Sequence, residues 1–183
     1  VLQFSYVYSL PFGRGKQFGN NWNYIVDTLL GGWQTNGIWR FDDGLPIQLT
    51  LNGGQSLPTY GAQRPNLTGT LTRNNGSNWL NQYFADSQVA VVPAPFTVGN
   101  APRELSTTRA PGTATTALSL FKQIPWSKTN ERRQIEIRLE AFNALNHPQF
   151  AAPNAQVNTT TFGKVTAQAN TPRQVQLALK LYF

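Results

Sequence analysis

The last eleven residues, RQVQLALKLYF, alternate without a break: Val175, Leu177, Leu179, Leu181 and Phe183 fall on one face, and Gln176, Ala178, Lys180 and Tyr182 on the other. Side chains in a strand point to opposite faces in turn, so this stretch predicts a β-strand with one apolar side. The same period recurs in LQFSYVYSL, where Leu2, Phe4, Tyr6, Tyr8 and Leu10 alternate with Gln3, Ser5, Val7 and Ser9. It recurs most clearly in RQIEIRLEAFNAL, where Ile135, Ile137, Leu139 and Ala141 alternate with Gln134, Glu136, Arg138 and Glu140. TTALSLFKQI predicts a further strand, and so does WQTNGIWRFDDGLPIQLTL, with a bulge expected around Gly44, Leu45 and Pro46 because proline cannot donate to a ladder. Between the first two strands, Trp22, Ile25, Val26, Leu29 and Leu30 recur at helical spacing. That segment predicts a short helix capped by Asn20 or Asn21 and stopped by Gly31 and Gly32.

The segments between strands are of two kinds. PWSKTNER and the PFGRGK turn with its helix are compact, whereas Asn52 to Ala114 and Asn146 to Pro172 are long and rich in Gly, Asn, Thr, Ser and Pro, with a hint of a helical turn only in NWLNQYFA. Loops beyond about 12 to 15 residues are uncommon in compact domains unless they carry function. Counted along the chain, short and long links alternate, which is the asymmetry of outer-membrane barrels. Trp33, Trp126 and Tyr182 are expected near the short-link boundary, where an aromatic girdle belongs.

Composition narrows the chemistry. The 183 residues contain no Cys and a single His, His147, so neither a disulfide framework nor a thiolate metal site is available and no cofactor is expected. The formal charge is +7, but the 15 basic residues are spread along the chain with no run longer than Arg132-Arg133, so nucleic acid is not the expected partner. No stretch approaches the roughly 20 apolar residues of a spanning helix; a spanning strand needs only about 9 to 11, every second one apolar. A mean hydropathy of -0.35 is therefore compatible with a membrane barrel.

PFGRGKQF, LLGGWQTNGIWRFDDGLPI, LSLFKQIP, EAFNALNHPQF and FGKVTAQANTPRQVQLALKLYF, in this order and ending together at the last residue, resemble the C-terminal barrel portion of TonB-dependent outer-membrane receptors, in particular the Oar-like subgroup. The resemblance implies an all-β fold. Its antiparallel strands would belong to a transmembrane barrel of about 22 strands, with long external loops, a short helix in one periplasmic link, and an N-terminal plug that couples to TonB. Residues 1–183 are then expected to be one C-terminal segment of such a barrel, a fragment without its plug. Five long strands, an odd number, point the same way, since bacterial single-chain barrels have an even number.

The resemblance also implies that Phe183, with Tyr182, Leu181 and Leu179 before it, is the signal read by the barrel-assembly machinery. The partners implied are outer-membrane lipid, lipopolysaccharide and TonB through the plug, and the location is the bacterial outer membrane. On the polar parity, Glu136, Arg138, Glu140 and Lys180 form a charge ladder suited to a wet lumen, with Lys180 expected close to Glu136 if the last two strands pair antiparallel. Glu136 and Glu140, about 13 Å apart along one strand, are too far apart for paired glycosidase acids, and the chain is not expected to be an enzyme.

Other motifs read as turns or composition. GRGK lacks the spacing of a phosphate loop, His147 precedes a proline, and the Asn66, Asn75 and Asn158 glycosylation triplets lie in Asn- and Thr-rich loops. The rival reading from a different class is a soluble, secreted β-sandwich binding glycans through the loop aromatics Tyr60, Trp79, Tyr83 and Phe84.

Overall fold

The computed structural model describes residues 1–125 and 133–183, so Trp126 and most of the PWSKTNER link lie outside the described residues. In chain order the elements are β1 (Leu2–Ser9), α1 (Tyr24–Leu30), β2 (Trp33–Asp42), β3 (Thr50–Leu51), β4 (Ser56–Leu57), β5 (Gly61–Ala62), β6 (Asn66–Leu67), β7 (Ala90–Val91), β8 (Thr113–Pro125), β9 (Gln134–Phe142), β10 (Gln156–Val157) and β11 (Gln174–Tyr182). They fall into two compact units. The first comprises Val1–Phe41, Ala114–His147 and Thr171–Phe183; the second comprises Asp42–Thr113 and Pro148–Asn170.

The first unit is a five-stranded sheet in the order β1-β2-β8-β9-β11, with β1 and β11 at its edges. The long strands are those that strict alternation predicts. Leu181, Leu179 and Leu177 stand opposite Ile135, Ile137 and Leu139, while Lys180 stands opposite Glu136 and Gln176 opposite Glu140. Directly opposed residues share a face, so Val175, Leu177, Leu179 and Leu181 lie on one side together with Ala141, Leu139, Ile137 and Ile135. The expected antiparallel pairing of Lys180 with Glu136 is the observed register. On β1 and β2 the same apolar face continues through Leu2, Phe4, Tyr6 and Tyr8 opposite Phe41, Trp39, Gly37 and Thr35. The ring of Phe4 stacks on Trp39 at 4.8 Å, and Tyr6 lies over Gly37, where a Cβ would come within 2.5 Å of the tyrosine ring.

Little of this face is covered by protein. Leu177 is 74% exposed, and Leu2, Phe4, Phe41, Leu139, Val175, Leu179 and Leu181 are also exposed. The opposite face carries mainly polar residues, among them the buried Ser119 and Glu136, although Val7 and Ile38 also lie on it.

Two expectations are corrected here. The second strand does not bulge at Gly44 to Pro46: β2 ends at Asp42, and Ile47 and Leu49 belong to the core of the second unit. The helix is capped by Asn23, not by Asn20 or Asn21; the Asn23 side chain accepts from the Val26 N–H at 2.8 Å, and Asn20 instead accepts from the Gly15 N–H in the preceding turn.

The second unit has almost no long secondary structure, yet it has an interior. Ile47, Leu49, Leu71, Tyr83, Phe84, Ala101 and Leu105 form its core, with Trp79, Val89, Phe162 and Val165 packed around them. The two long excursions fold together. The Tyr83 N–H donates to the Gly163 carbonyl at 2.7 Å, the Val165 N–H to the Leu80 carbonyl at 2.7 Å, and β10 runs parallel to β3. Backbone groups removed from water must find partners, and in the absence of long ladders they find them between segments far apart in sequence, as between Tyr83 and Gly163 and between Thr50 and Ala155.

Candidate functional site

The polar face of the sheet brings the predicted charge ladder together. Successive same-face residues on a strand are close enough for one long side chain to reach both neighbours. The Arg138 guanidinium does so, lying 2.9 Å from the Glu136 carboxylate and 3.4 Å from that of Glu140. Each carboxylate also meets a neighbouring strand. Glu136 accepts from the Gln123 side-chain amide of β8 at 3.1 Å and from the Tyr182 hydroxyl of β11 at 3.4 Å; Glu140 accepts from the Gln176 amide. Arg138 stacks over the Phe121 ring at 5.4 Å. Glu136 is only 2% exposed, and a buried carboxylate is tolerable because opposite charge and hydrogen-bond donors surround it. With each carboxylate held by Arg138, the ion pairs run along β9, and hydrogen bonds from neutral side chains tie them to β8 and β11. Ser119 extends the polar face by donating to the Asn36 side-chain oxygen on β2.

Of the four residues read as an assembly signal, Leu179 and Leu181 lie on the apolar face, and Phe183 follows at the next alternate position, 84% exposed. Tyr182 lies on the other face, its hydroxyl on Glu136. Trp33 and Tyr182 both stand at the short-link end of the sheet, where the girdle is expected, but only Trp33 is on the apolar side; Tyr182 turns toward the charge ladder.

One residue that alternation alone does not single out is Lys122. The apolar parity of β8 runs Leu118, Leu120, Lys122, Ile124, and Lys122 stands opposite Ile137 on the apolar face. The interruption of that series by lysine is the signal in the sequence. The residue is 5% exposed, and its ammonium donates to the carbonyls of Gly31 and, at 3.3 Å, Asp27 at the C-terminal end of α1.

The second unit carries two hollows. One, of about 380 Å³, is lined by Gln48, Tyr60, Gln63, Arg64 and Arg103; the other, of about 440 Å³, by Asp43, Arg73, Ser106, Thr108 and Arg109. Tyr60 is exposed at the first. The other aromatics of the glycan reading are placed differently. Tyr83 and Phe84 are 0% exposed and belong to the core, and Trp79 packs edge-on against Tyr83 and Phe150 with Arg73 over its ring. A glycan cannot stack on faces that protein already covers, so three of those four residues are structural. Burial pushes the Tyr83 phenol above its ordinary value of 10.0, against the opposing pull of the Arg73 charge.

The remaining motifs are turns. Gly13 and Gly15 have φ of 122° and 72° in the GRGK segment, a conformation open to glycine, and the Arg14 N–H donates to the Asp27 carboxylate at 2.7 Å. The His147 N–H donates to the Asn143 side chain at 3.0 Å within a turn where Asn143 and Asn146 have positive φ. Among the described residues no group of His, Asp and Glu could hold a metal ion, and no helix is long and apolar enough to cross a membrane.

No curated protein and no solved structure matches the chain. An all-β sheet with one exposed apolar face and one charged face is the pattern of a strand wall between lipid and water. In agreement with it, the family model described as an outer membrane beta barrel domain matches residues 1–176, and the chain belongs to that family, whose place is the bacterial outer membrane.

Proposed function

We propose that the chain is the C-terminal barrel segment of a TonB-dependent receptor of the Oar-like kind, and that it acts by binding and not by catalysis. The apolar face meets lipid and, in the outer leaflet, lipopolysaccharide. The Glu136, Arg138, Glu140 and Lys180 ladder faces the lumen, and Phe183 is read by the barrel-assembly machinery. The observation that carries the receptor reading is the second unit. Two excursions that leave the sheet after β2 and after β9 build one packed body with hollows of about 380 and 440 Å³. Loops with a core of their own present a fixed surface, and a fixed surface is what ligand capture outside the cell requires. The ordered motifs that resemble TonB-dependent receptors support the rest; energy coupling would pass through the N-terminal plug.

The test is direct binding of the full-length protein, purified in detergent, to the purified periplasmic domain of TonB from the same organism. A saturable complex is expected, and no binding at concentrations well above those of the cell would contradict the TonB assignment. The assembly role is tested separately by comparing deletion of Phe183 with Phe183→Tyr in the full-length protein. Heat-modifiable gel mobility should show far less assembled barrel for the deletion than for the substitution; equal levels would remove that role.

A further inference from the structure

We infer that α1 is an interfacial lipid anchor: a helix latched by Lys122 and Trp33 to the lipid-facing side of the barrel wall, whose apolar side chains embed in the periplasmic leaflet of the outer membrane. The argument begins with the helix ends. The last carbonyls of any helix lack intrahelical partners. Those of α1 are met from the sheet: the Trp33 indole N–H of β2 donates to Leu29 O at 3.0 Å, and the Lys122 ammonium of β8 donates to Gly31 O and Asp27 O. Lys122 also lies 5.8 Å from the Trp33 ring centroid. The N-terminal end is fixed by Asn23, and the Arg14 side chain donates to Trp22 O at 2.9 Å. Both donors to the C-terminal end sit on the apolar face of the sheet, Lys122 opposite Ile137 and Trp33 in alternation with Thr35 and Gly37.

Held in this way, the helix turns Asp27 toward the protein, where its carboxylate accepts the Arg14 N–H. Its other side faces away: Ile25 and Leu29, opposite Asp27 on the helix, are 68% and 64% exposed, and Tyr24 and Leu30, which flank Asp27 by one turn, are exposed as well. Ile25 and Leu29 are one turn apart and form the centre of that side. In the same link Phe12 and Phe18 are exposed with ring centroids 5.8 Å apart, and Arg14 and Lys16 supply cations. Aromatic rings and basic residues beside an apolar helix face match the boundary between acyl chains and phosphate headgroups. The inference rests on the proposed lipid contact of the apolar sheet face: two side chains of that face tie α1 to it, so the solvent that meets the face, lipid, also meets the exposed side of the helix. Lys122 is accordingly a latch: a lysine on a lipid-facing parity would be unfavourable in hydrocarbon, and here helix carbonyls satisfy its ammonium.

These 183 residues contain no Cys, so single spin labels can be placed within them in the full-length protein, with any cysteine elsewhere replaced by serine, after reconstitution in vesicles of phosphatidylethanolamine and phosphatidylglycerol. Labels at Ile25→Cys and Leu29→Cys should favour oxygen over a water-soluble nickel chelate, as at Leu179→Cys in the wall and opposite to Tyr60→Cys. A ratio at 25 and 29 matching that at 60 would overturn the inference, and so would inaccessibility to both reagents, which would mean a protein cover. Lys122→Met and, more conservatively, Trp33→Phe should each increase label mobility at 29 while leaving it unchanged at 179. Unchanged mobility at 29 in an assembled variant would overturn the latch.

Discussion

The two units of this chain bury opposite things. In the sheet unit the best-buried side chains include Glu136, Lys122, Ser119 and Thr116, while Leu177, Leu179 and Phe4 are exposed; in the loop unit Tyr83, Phe84, Leu71 and Leu49 are inside. Burying apolar surface is favourable only where the alternative is water. The loop unit obeys that rule in its familiar form, with an aqueous surround and an apolar interior. The sheet unit fits it if lipid lies outside: its apolar side then needs no protein cover, and Glu136, Arg138, Glu140 and Lys180 are gathered on the other side, with Lys122 the exception that helix carbonyls satisfy. One chain thus carries two folding logics, and their boundary falls at Asp42 and Ala114 on one excursion and near His147 and Thr171 on the other.

The contrast predicts different responses to substitution. The largest effect is expected from Phe84→Ala. Phe84 touches Tyr83 and Phe162 with ring centroids at 5.7 and 5.1 Å, and emptying such a site costs about 3–5 kcal/mol. Protease nicking between residues 42 and 113 should rise sharply in the full-length variant while the heat-modifiable barrel persists. Simultaneous loss of both would mean that the two units are not separately stabilised.

Next comes Leu179→Arg, which puts a charge in the middle of the lipid-facing wall at about 2–4 kcal/mol, against Gln176→Arg on the ladder side beside Glu140. Assembled protein should fall strongly for the first and little for the second. Equal losses would show that the face does not decide the outcome.

The smallest effect concerns Tyr83, whose hydroxyl donates to the Arg109 carbonyl. The folded phenol has a raised pKa, so its contribution is whole below the unfolded value of about 10 and is lost as pH climbs through the higher folded value. Tyr83→Phe should cost about 1 kcal/mol at neutral pH and flatten the alkaline loss of the loop unit, read by near-ultraviolet circular dichroism against pH. An identical alkaline midpoint in wild type and variant would contradict this role.

The same contrast explains what was legible in the sequence. The sheet was, because period 2 persists for eight or more residues in β1, β9 and β11 and the register follows from it. The charge ladder followed from the same alternation once Lys180 was matched to Glu136. The loop unit left no such trace. Its strands are two residues long, and its core residues, from Ile47 through Tyr83 to Leu105, are irregularly spaced. The bonds that fix it join Thr50 to Ala155 and Tyr83 to Gly163. Local pattern cannot encode contacts made at such separations, so Tyr83 and Phe84 read as exposed loop aromatics when they are core. The Asn23 cap was missed for a smaller reason: three asparagines precede α1, and only tertiary contacts assign Asn20 to the turn and Asn23 to the helix.

The central claim is that the face bearing Val175, Leu177, Leu179 and Leu181 meets lipid while the face bearing Gln176, Ala178 and Lys180 meets water. A single-cysteine scan of residues 174 to 182 in the full-length protein, assembled in outer-membrane vesicles, tests it with a membrane-impermeant maleimide admitted to both sides. The account predicts labelling that alternates with period 2, low at the odd positions and high at the even positions that are not packed against the ladder. Uniform labelling along the strand, or strong labelling at 177 and 179, would contradict it.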